Sequence, residues 1–244
     1  MRKASLFVIG ILAGIMTYTA AFGVPSYNVY DPREAQEILR PDDKAKILFI
    51  VDFSNSMEDF LGGERKSDIA VRTLADIVSR LNPSVKTGLR VYGHRFVFNP
   101  ILACKASDLA VPVLPNNSEN IKKALYSFKP TGQTPITYSL KSAINRDFAD
   151  ITGEKRIVLL TDGAENCDES PCEYAIKVVS QRDDVKIDVI AFNVNDDEAQ
   201  AQLKCTSSVT GGKIYNAKTA AELAKSLEQS LNVTTEVQGT IIKK

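Results

Sequence analysis

The sequence predicts an α/β fold: a doubly wound, mostly parallel central sheet with one antiparallel edge strand and helices on both faces. Two observations support this class. Short apolar runs alternate along the chain with segments in which apolar residues recur at helical spacing, the order expected of a sheet whose strands are connected by helices. The runs are continuously apolar rather than alternately apolar and polar, as is typical of strands covered on both faces.

Each predicted element has a recognisable pattern. The strands are the apolar runs at 46–53, 86–94, 108–115, 155–163, 185–194 and 213–217. The helices are the periodic segments at 67–81, 118–128, 134–148, 171–182, 197–212 and 219–231. Ser67 can cap the first helix, and Pro135 suits the first turn of the third. Two prolines in 108–115 would remove hydrogen-bond donors from a sheet interior, so this run is assigned to an edge.

The first 23 residues have the pattern of a secretory signal peptide. A basic start, Arg2 and Lys3, precedes a long uncharged segment, and the small residues Ala21 and Gly23 permit cleavage after Gly23. The uncharged segment is also close to the ~20 residues of a membrane span, so an uncleaved anchor in the inner membrane is the alternative. In both cases we expect an exported protein, periplasmic or extracellular, with membrane contact only if the segment is retained.

The rest of the chain divides into an arm, one domain and a tail. Residues 24–43 are polar, contain three prolines and predict an arm with a short helix at 33–39. Residues 44–232 contain the predicted strands and helices, and 233–244 form a tail without an assigned structure. A hydrophobic content of 44% suits a single domain with a full core.

The charge balance argues against a nucleic-acid partner. Lysine plus arginine and aspartate plus glutamate both number 30, and no long run of one charge marks an interaction tail. The sequence also lacks the GxxxxGK[ST] pattern of a phosphate-binding loop.

The four cysteines favour disulfides. Cys104, Cys167, Cys172 and Cys205 are an even number in a chain with an export signal. The alternative is a zinc site with four thiolates, whose usual signature is two CxxC-like pairs. Only CDESPC, which contains Cys167 and Cys172, approaches that spacing.

Oxygen-bearing side chains occur at the ends of two strands and in a glycine-containing turn before a helix. Asp52, Ser54 and Ser56 follow the first strand, Asp162 ends the strand RIVLL, and Thr134 lies in KPTGQTPIT. In doubly wound sheets ligands bind outside the carboxyl ends of the strands, where the winding reverses. Two carboxylates with several hydroxyls suit Mg²⁺, with Mn²⁺ or Ca²⁺ as alternatives. A lone aspartate at a strand end is more often a turn former, so the prediction depends on the three segments together.

These segments resemble the von Willebrand factor type A domain, over roughly residues 44–232. The metal-ion-dependent adhesion site (MIDAS) of that family reads DxSxS, then a threonine, then an aspartate, which here correspond to Asp52, Ser54, Ser56, Thr134 and Asp162. GQTPITYSL is similar to the threonine turn, and VYGHR and NCDESPC are similar to secreted bacterial members. The frequent glycine of DxSGS is Asn55 in this chain, which tolerates the same left-handed backbone.

The resemblance implies a binding function rather than an enzyme. It implies that the five side chains hold Mg²⁺ and that a glutamate or aspartate of a partner protein fills the remaining metal position. One alternative is a structural or assembly subunit whose metal only stabilises the fold. Another is a metal-dependent phosphohydrolase with Asp52 as nucleophile, although Ser54 stands where such enzymes have a second carboxylate. Serine–histidine catalysis would depend on His94, the only histidine, and no GxSxG motif is present.

The resemblance also implies a disulfide pairing. In the sheet order of the family, the strands before Cys104 and Cys167 flank the first strand, with both cysteines on the metal side. Cys172 and Cys205 lie in neighbouring helices. We therefore favour Cys104–Cys167 with Cys172–Cys205, and a Cys167–Cys172 bridge is the alternative.

Overall fold

The computed structural model describes residues 45–232. The predicted signal segment, the arm with its helix at 33–39 and the tail lie outside the described residues. Within residues 45–232, no helix is long and apolar enough to cross a membrane.

The architecture is the predicted one. The strands are β1 Lys46–Asp52, β2 Phe60–Leu61, β3 Glu64–Arg65, β4 Lys86–Tyr92, β5 Ser107–Leu114, β6 Lys155–Thr161, β7 Val185–Phe192 and β8 Ile214–Ala217. Six of them form a sheet in the order β5-β4-β1-β6-β7-β8, in which only β5, at one edge, is antiparallel to its neighbour. The other two, β2 and β3, form a small separate hairpin.

Helices cover both faces of the sheet because alternate side chains of each strand enter two separate cores. In β1, Ile47 and Phe49 belong to one core, and Leu48 and Ile50 belong to the other. The helices are α1 Lys66–Ser79, α2 Pro100–Ala103, α3 Ser118–Leu125, α4 Ile136–Ser142, α5 Pro171–Val179, α6 Asp197–Ser208 and α7 Ala220–Asn232. Of these, α1, α3 and α7 contribute to the first core, and α4, α5 and α6 to the second.

The winding of the sheet reverses at β1. From β1 the chain first builds outward through β4 to β5, and it then returns to the other side of β1 with β6. Asp52 ends β1 and Thr161 ends β6. The carboxyl ends of these two adjacent parallel strands therefore form the topological switch point, the usual ligand position of such sheets.

The start of α1 differs from the sequence prediction. Arg65, not Ser67, is the residue before the helix, and Ser67 is buried within its first turn. The reason is the preceding hairpin, in which the Lys66 amide donates to the Asp59 carbonyl at 2.9 Å. That closure fixes where the backbone enters the helix. Similarly, Pro135 precedes α4 rather than lying in its first turn.

Both predicted disulfides are present. Cys104 is bonded to Cys167, and Cys172 of α5 is bonded to Cys205 of α6. No cysteine remains free, so the four-thiolate zinc alternative and the Cys167–Cys172 bridge are both wrong. Disulfides of this kind fit a protein that matures in an oxidising compartment.

Candidate metal centre

Asp52 lies at the switch point with its carboxylate held from three directions. Its Oδ1 accepts a hydrogen bond from the Ser54 amide at 2.7 Å. Its Oδ2 accepts from the Tyr92 hydroxyl at 3.0 Å and from the Thr161 hydroxyl at 2.8 Å. Because Tyr92 ends β4 and Thr161 ends β6, both strands that flank β1 orient this carboxylate.

Asp52 is a buried carboxylate that lies near a second carboxylate, Asp162. The residue is fully buried, and burial, followed by the negative charge of Asp162, raises its pKa to about 6. A buried carboxylate beside a second carboxylate is costly unless a cation offsets the charge. The site therefore has the electrostatic character of a cation-binding site.

A chain of hydrogen bonds connects the two serines to Asp162. The Ser54 and Ser56 hydroxyls are 3.1 Å apart, and the Ser56 hydroxyl donates to Asp162 Oδ1 at 2.7 Å. The latter contact joins residues 106 positions apart in sequence. The structure thus brings Asp52, Ser54, Ser56 and Asp162 together at one edge of the sheet.

Thr134 reaches the same edge through the backbone of its turn. Ser54 forms a β-bridge with Gly132, and the Asn55 amide donates to the Gly132 carbonyl at 3.1 Å. The Thr134 side chain is buried, and within residues 45–232 its hydroxyl forms no hydrogen bond with the other four predicted ligands. The threonine turn is therefore docked on the DxSxS segment.

Gly93 permits this docking. It has a φ of +69°, and a Cβ at this position would lie 2.5 Å from the Ser54 amide nitrogen. Any other residue would be strained by its backbone conformation and would push the serine segment away. Asn55, in contrast, lies in a 3-10 turn and does not have a positive φ, so this chain does not use the left-handed backbone that asparagine tolerates.

Lys66 is a site residue that the sequence reasoning missed. Its ammonium lies 3.0 Å from Asp162 Oδ2 and 3.3 Å from Asp59 Oδ2, and its side chain is only 9% exposed. Burial lowers the pKa of Lys66, but the hydrogen bonds to Asp162 and Asp59 outweigh it and raise the pKa above its ordinary value. A signal was present in the sequence, because Lys66 precedes Ile69 and Ala70 at helical spacing and so lies on the apolar face of α1.

The donor set fits a hard divalent cation. All five predicted ligands offer oxygen, and none offers nitrogen or sulfur. Lys66 supplies one positive charge for two buried carboxylates, so a second cation is electrostatically favourable. Asp162 already has one oxygen bonded to Ser56 and the other to Lys66. The described residues contain no group of three histidine, cysteine or acidic side chains suited to a metal.

His94 does not form a catalytic pair with either serine. Its Nε2 is 2.9 Å from Asp108 Oδ2, and its ring packs edge-on against Phe128 at 5.0 Å between centroids. Burial lowers the pKa of His94. The histidine therefore holds the base of the loop after β4.

Comparisons with known proteins agree with this geometry. A family model for the von Willebrand factor type A domain matches residues 46–229. The uncharacterized protein YwmD of Bacillus subtilis (strain 168) is 28% identical over 219 residues, which cover 88% of this chain and 96% of YwmD.

Solved structures share the fold at lower identity. Proximal thread matrix protein 1 from the mussel byssus, described with a zinc-occupied MIDAS motif, matches with a TM-score of 0.61 at 20% identity, over 78% of this chain. The match covers 46% of the byssus protein, less than half of its length. The vWF domain of the type V pili tip protein Mfa5 from Porphyromonas gingivalis matches with a TM-score of 0.56 at 13% identity, over 78% of this chain and 96% of that domain.

Proposed function

Because the chain belongs to the von Willebrand factor type A family, as the match over residues 46–229 shows, we propose that it is a metal-ion-dependent protein-binding module and not an enzyme. Five side chains would hold the ion: Asp52, Ser54, Ser56, Thr134 and Asp162. The metal is Mg²⁺ in this proposal, with Mn²⁺ or Ca²⁺ as alternatives. The partner is a protein that supplies a glutamate or aspartate carboxylate.

One observation carries the proposal. The carboxylates of Asp52 and Asp162, at the ends of β1 and β6, gather with Ser54 and Ser56 at the switch point of the sheet. Ligand sites of doubly wound sheets lie at this position. The gathered groups offer hydroxyl and carboxylate oxygen, the donors that hard divalent cations prefer.

The same donors favour a partner carboxylate. A divalent ion bound here would supply a concentrated positive charge to an incoming anion. The hydroxyls of Ser54, Ser56 and Thr134 carry no charge and so leave the ion incompletely neutralised. Lys66 also offsets part of the charge of Asp162. An acidic side chain from outside is therefore a favourable additional ligand.

The surface beside the site supports a protein rather than a small anion as partner. We call residues 93–106, between β4 and β5, the rim loop. Phe96 is 76% exposed and Phe98 is 92% exposed, and Ile101 and Leu102 of α2 are also exposed. Clustered exposed apolar side chains mark interaction sites, and aromatic residues are enriched in protein interfaces.

Asp52 is poorly suited to act as a nucleophile. Its side chain is fully buried, and both oxygens accept hydrogen bonds. A phosphohydrolase would need one of these oxygens free for attack at the reacting phosphorus.

Two similar structures support the proposal. The byssus protein is described with a zinc-occupied MIDAS motif, which supports a divalent ion at this position, and the pili tip protein supports a location of this chain outside the cytoplasm. We infer that this chain is exported, and either released or retained by residues 1–23.

The decisive experiment is capture of partner proteins from the exported fraction. The wild-type protein should retain a partner with Mg²⁺ and release it with a chelator, because the ion connects the two proteins. Asp52→Ala should retain none in either condition. Asp76→Ala, which changes an exposed aspartate of α1, is the matched control and should behave as the wild type.

Melting temperatures separate binding from a purely structural metal. If Mg²⁺ raises the melting temperature of the wild type but no protein depends on Mg²⁺ for capture, the metal is structural and the binding proposal is wrong.

A further inference from the structure

The loop between β6 and α5 holds the turn that carries Thr134. We call residues 163–169 the Asn166 loop. Asn166 Oδ1 accepts a hydrogen bond from the Thr134 amide at 2.8 Å, and the Thr134 carbonyl accepts from the Asn166 amide at 3.5 Å. Thr134 is thus held on both its backbone groups by one residue that is itself not a metal ligand.

Glu165 extends this hold to the first turn of α4. One of its carboxylate oxygens accepts from the Thr137 amide at 2.6 Å, and the other accepts from the Cys167 amide at 3.0 Å. Its own amide donates to Gln202 of α6 at 3.1 Å. Burial raises the pKa of Glu165. The threonine turn is therefore held at both Thr134 and Thr137 by two consecutive residues.

A disulfide fixes the Asn166 loop in turn. Cys167 is bonded to Cys104, 63 residues earlier, in the rim loop. Cys104 follows directly on α2, whose first turn is capped by the Asn99 side chain. Asn166 itself is exposed, so little packing restrains it. The main restraint is the disulfide of the next residue, Cys167.

We propose that the Cys104–Cys167 disulfide, through Asn166 and Glu165, is a positioning device for Thr134 and so sets the metal affinity of the site. This inference rests on the proposed function for the identity of the ligands. Asn166 and Glu165 are positioning residues, because they act on the backbone of the threonine turn and not on the ion. Groups that orient metal ligands commonly change metal affinity about 10- to 100-fold when they are removed.

The chain contains a matched control. Cys172–Cys205 joins α5 to α6 with a Cα–Cα distance of 5.4 Å, close to the 5.5 Å of Cys104–Cys167. Both bonds close long loops, so removal of either should lower stability by similar amounts. Neither Cys172 nor Cys205 forms a hydrogen bond with the threonine turn in the described part of the chain. A merely structural disulfide effect would therefore appear equally in both double variants.

The first test needs no metal. Amide hydrogen exchange of the metal-free protein should show faster exchange at Thr134 and Thr137 in the C104S/C167S variant, because the loop that accepts from these amides is released. The C172S/C205S variant should retain wild-type protection at both amides. Equal protection at Thr134 in the two variants would overturn the proposal.

The second test measures the affinity for magnesium chloride by calorimetry. Asn166→Ala and C104S/C167S should bind Mg²⁺ about 10- to 100-fold more weakly than the wild type, whereas C172S/C205S should bind it normally. Asn166→Asp retains the acceptor oxygen, so it should restore both the Thr134 protection and Mg²⁺ binding.

The two proposals fail in different ways. Absence of Mg²⁺ binding by the wild type would overturn the proposed function. Wild-type binding with unchanged affinity in Asn166→Ala and C104S/C167S would overturn the positioning role alone.

Discussion

Lys66 and Asp162 show how single residues set the charge of the site. Their ion pair spans 3.0 Å, and the Asp162 side chain has no exposed surface. A buried carboxylate that loses the cation paired with it becomes costly. The same ammonium, however, repels any second cation that approaches Asp162. Lys66 should therefore stabilise the metal-free fold while weakening metal binding.

Lys66→Gln should change these two properties in opposite directions. We expect the free energy of unfolding of the metal-free protein to fall by about 3 kcal/mol, the scale of breaking a buried pair. We expect Mg²⁺ to bind more tightly, because the repulsion is gone. Chemical denaturation and calorimetry measure the two quantities.

The control for Lys66 is Arg72→Gln. Arg72 pairs with Glu64 at 2.7 Å on the surface, where both side chains are about half exposed. This change should leave the free energy of unfolding almost unchanged, because exposed ion pairs contribute little to stability, and it should leave Mg²⁺ affinity unchanged. Weaker Mg²⁺ binding by Lys66→Gln would contradict the electrostatic interpretation.

The roles of individual site residues could be predicted only in part from the sequence. Asp52, Ser54 and Ser56 could be proposed as ligands because their alternation at a strand end is local. Asn166 could not be identified, because its role depends on a contact with Thr134, 32 residues away. Tyr92 reads as one more apolar residue of β4, and only the structure places its hydroxyl on Asp52.

At the level of elements, the rim loop is the most exposed apolar segment beside the site. Its short helix α2 is held at one end by the Asn99 cap and at the other by the Cys104 disulfide. This rigidity keeps Ile101 and Leu102 exposed, and it reduces the entropy lost when a partner binds. We infer that the rim loop contributes apolar contacts to the same partner.

Phe96→Ser combined with Phe98→Ser should weaken partner binding without loss of stability. Both rings are largely exposed, so the free energy of unfolding should change by no more than an ordinary surface substitution changes it, about ±0.5 kcal/mol. Loss of buried aromatic contacts at an interface typically costs more than about 1 kcal/mol of binding free energy, or fivefold or more in affinity. Capture with Mg²⁺ measures the effect.

Leu114→Ser is the control for the rim loop. Leu114 is 52% exposed and pairs with Thr87 near the start of β4. It therefore lies far from the carboxyl ends of the parallel strands, where the candidate site is. Equal losses of capture in Leu114→Ser and in the rim-loop variant would show that the rim loop is not a specific contact.

Elements with a strong pattern were predicted and short elements were not. The six strands of the main sheet and the six longer helices follow periodicity that the sequence displays. The β2–β3 hairpin and α2 have two or four residues each, too few for a periodic signal. These elements are defined by contacts instead, such as the bond of the Lys66 amide to the Asp59 carbonyl.

At the scale of the whole molecule, both ends of the described region lie where the parallel strands begin. The candidate metal centre lies at the other end of these strands, at their carboxyl ends. Lys46 begins β1 and is therefore at the amino edge of the sheet. Arg156, near the start of β6, donates to the Ser230 carbonyl at 2.9 Å, which places the end of α7 at the same edge. Attachment through either end would leave the candidate metal centre directed away from the attachment point.

Immobilisation through a C-terminal biotin should preserve Mg²⁺-dependent partner capture. The candidate site lies at the carboxyl edge of the sheet, so the support should not block it. Attachment through position 98 in the rim loop, with a coupling chemistry that does not use cysteine, should reduce capture. The amount of partner retained on the two supports is the measurement, and loss of capture on the C-terminal support alone would contradict this orientation.

Periodicity and composition were enough to establish the fold class, the strand and helix order and the edge position of β5, because helical and strand patterns and the placement of proline are local properties of a chain. The resemblance supplied the ligand set and the disulfide pairs. The tertiary structure decided which groups surround Asp52, where Lys66 points and how Asn166 holds Thr134. These are contacts between residues far apart in sequence, and their distances depend on the packing of β1, β4 and β6 against one another, which no local pattern records.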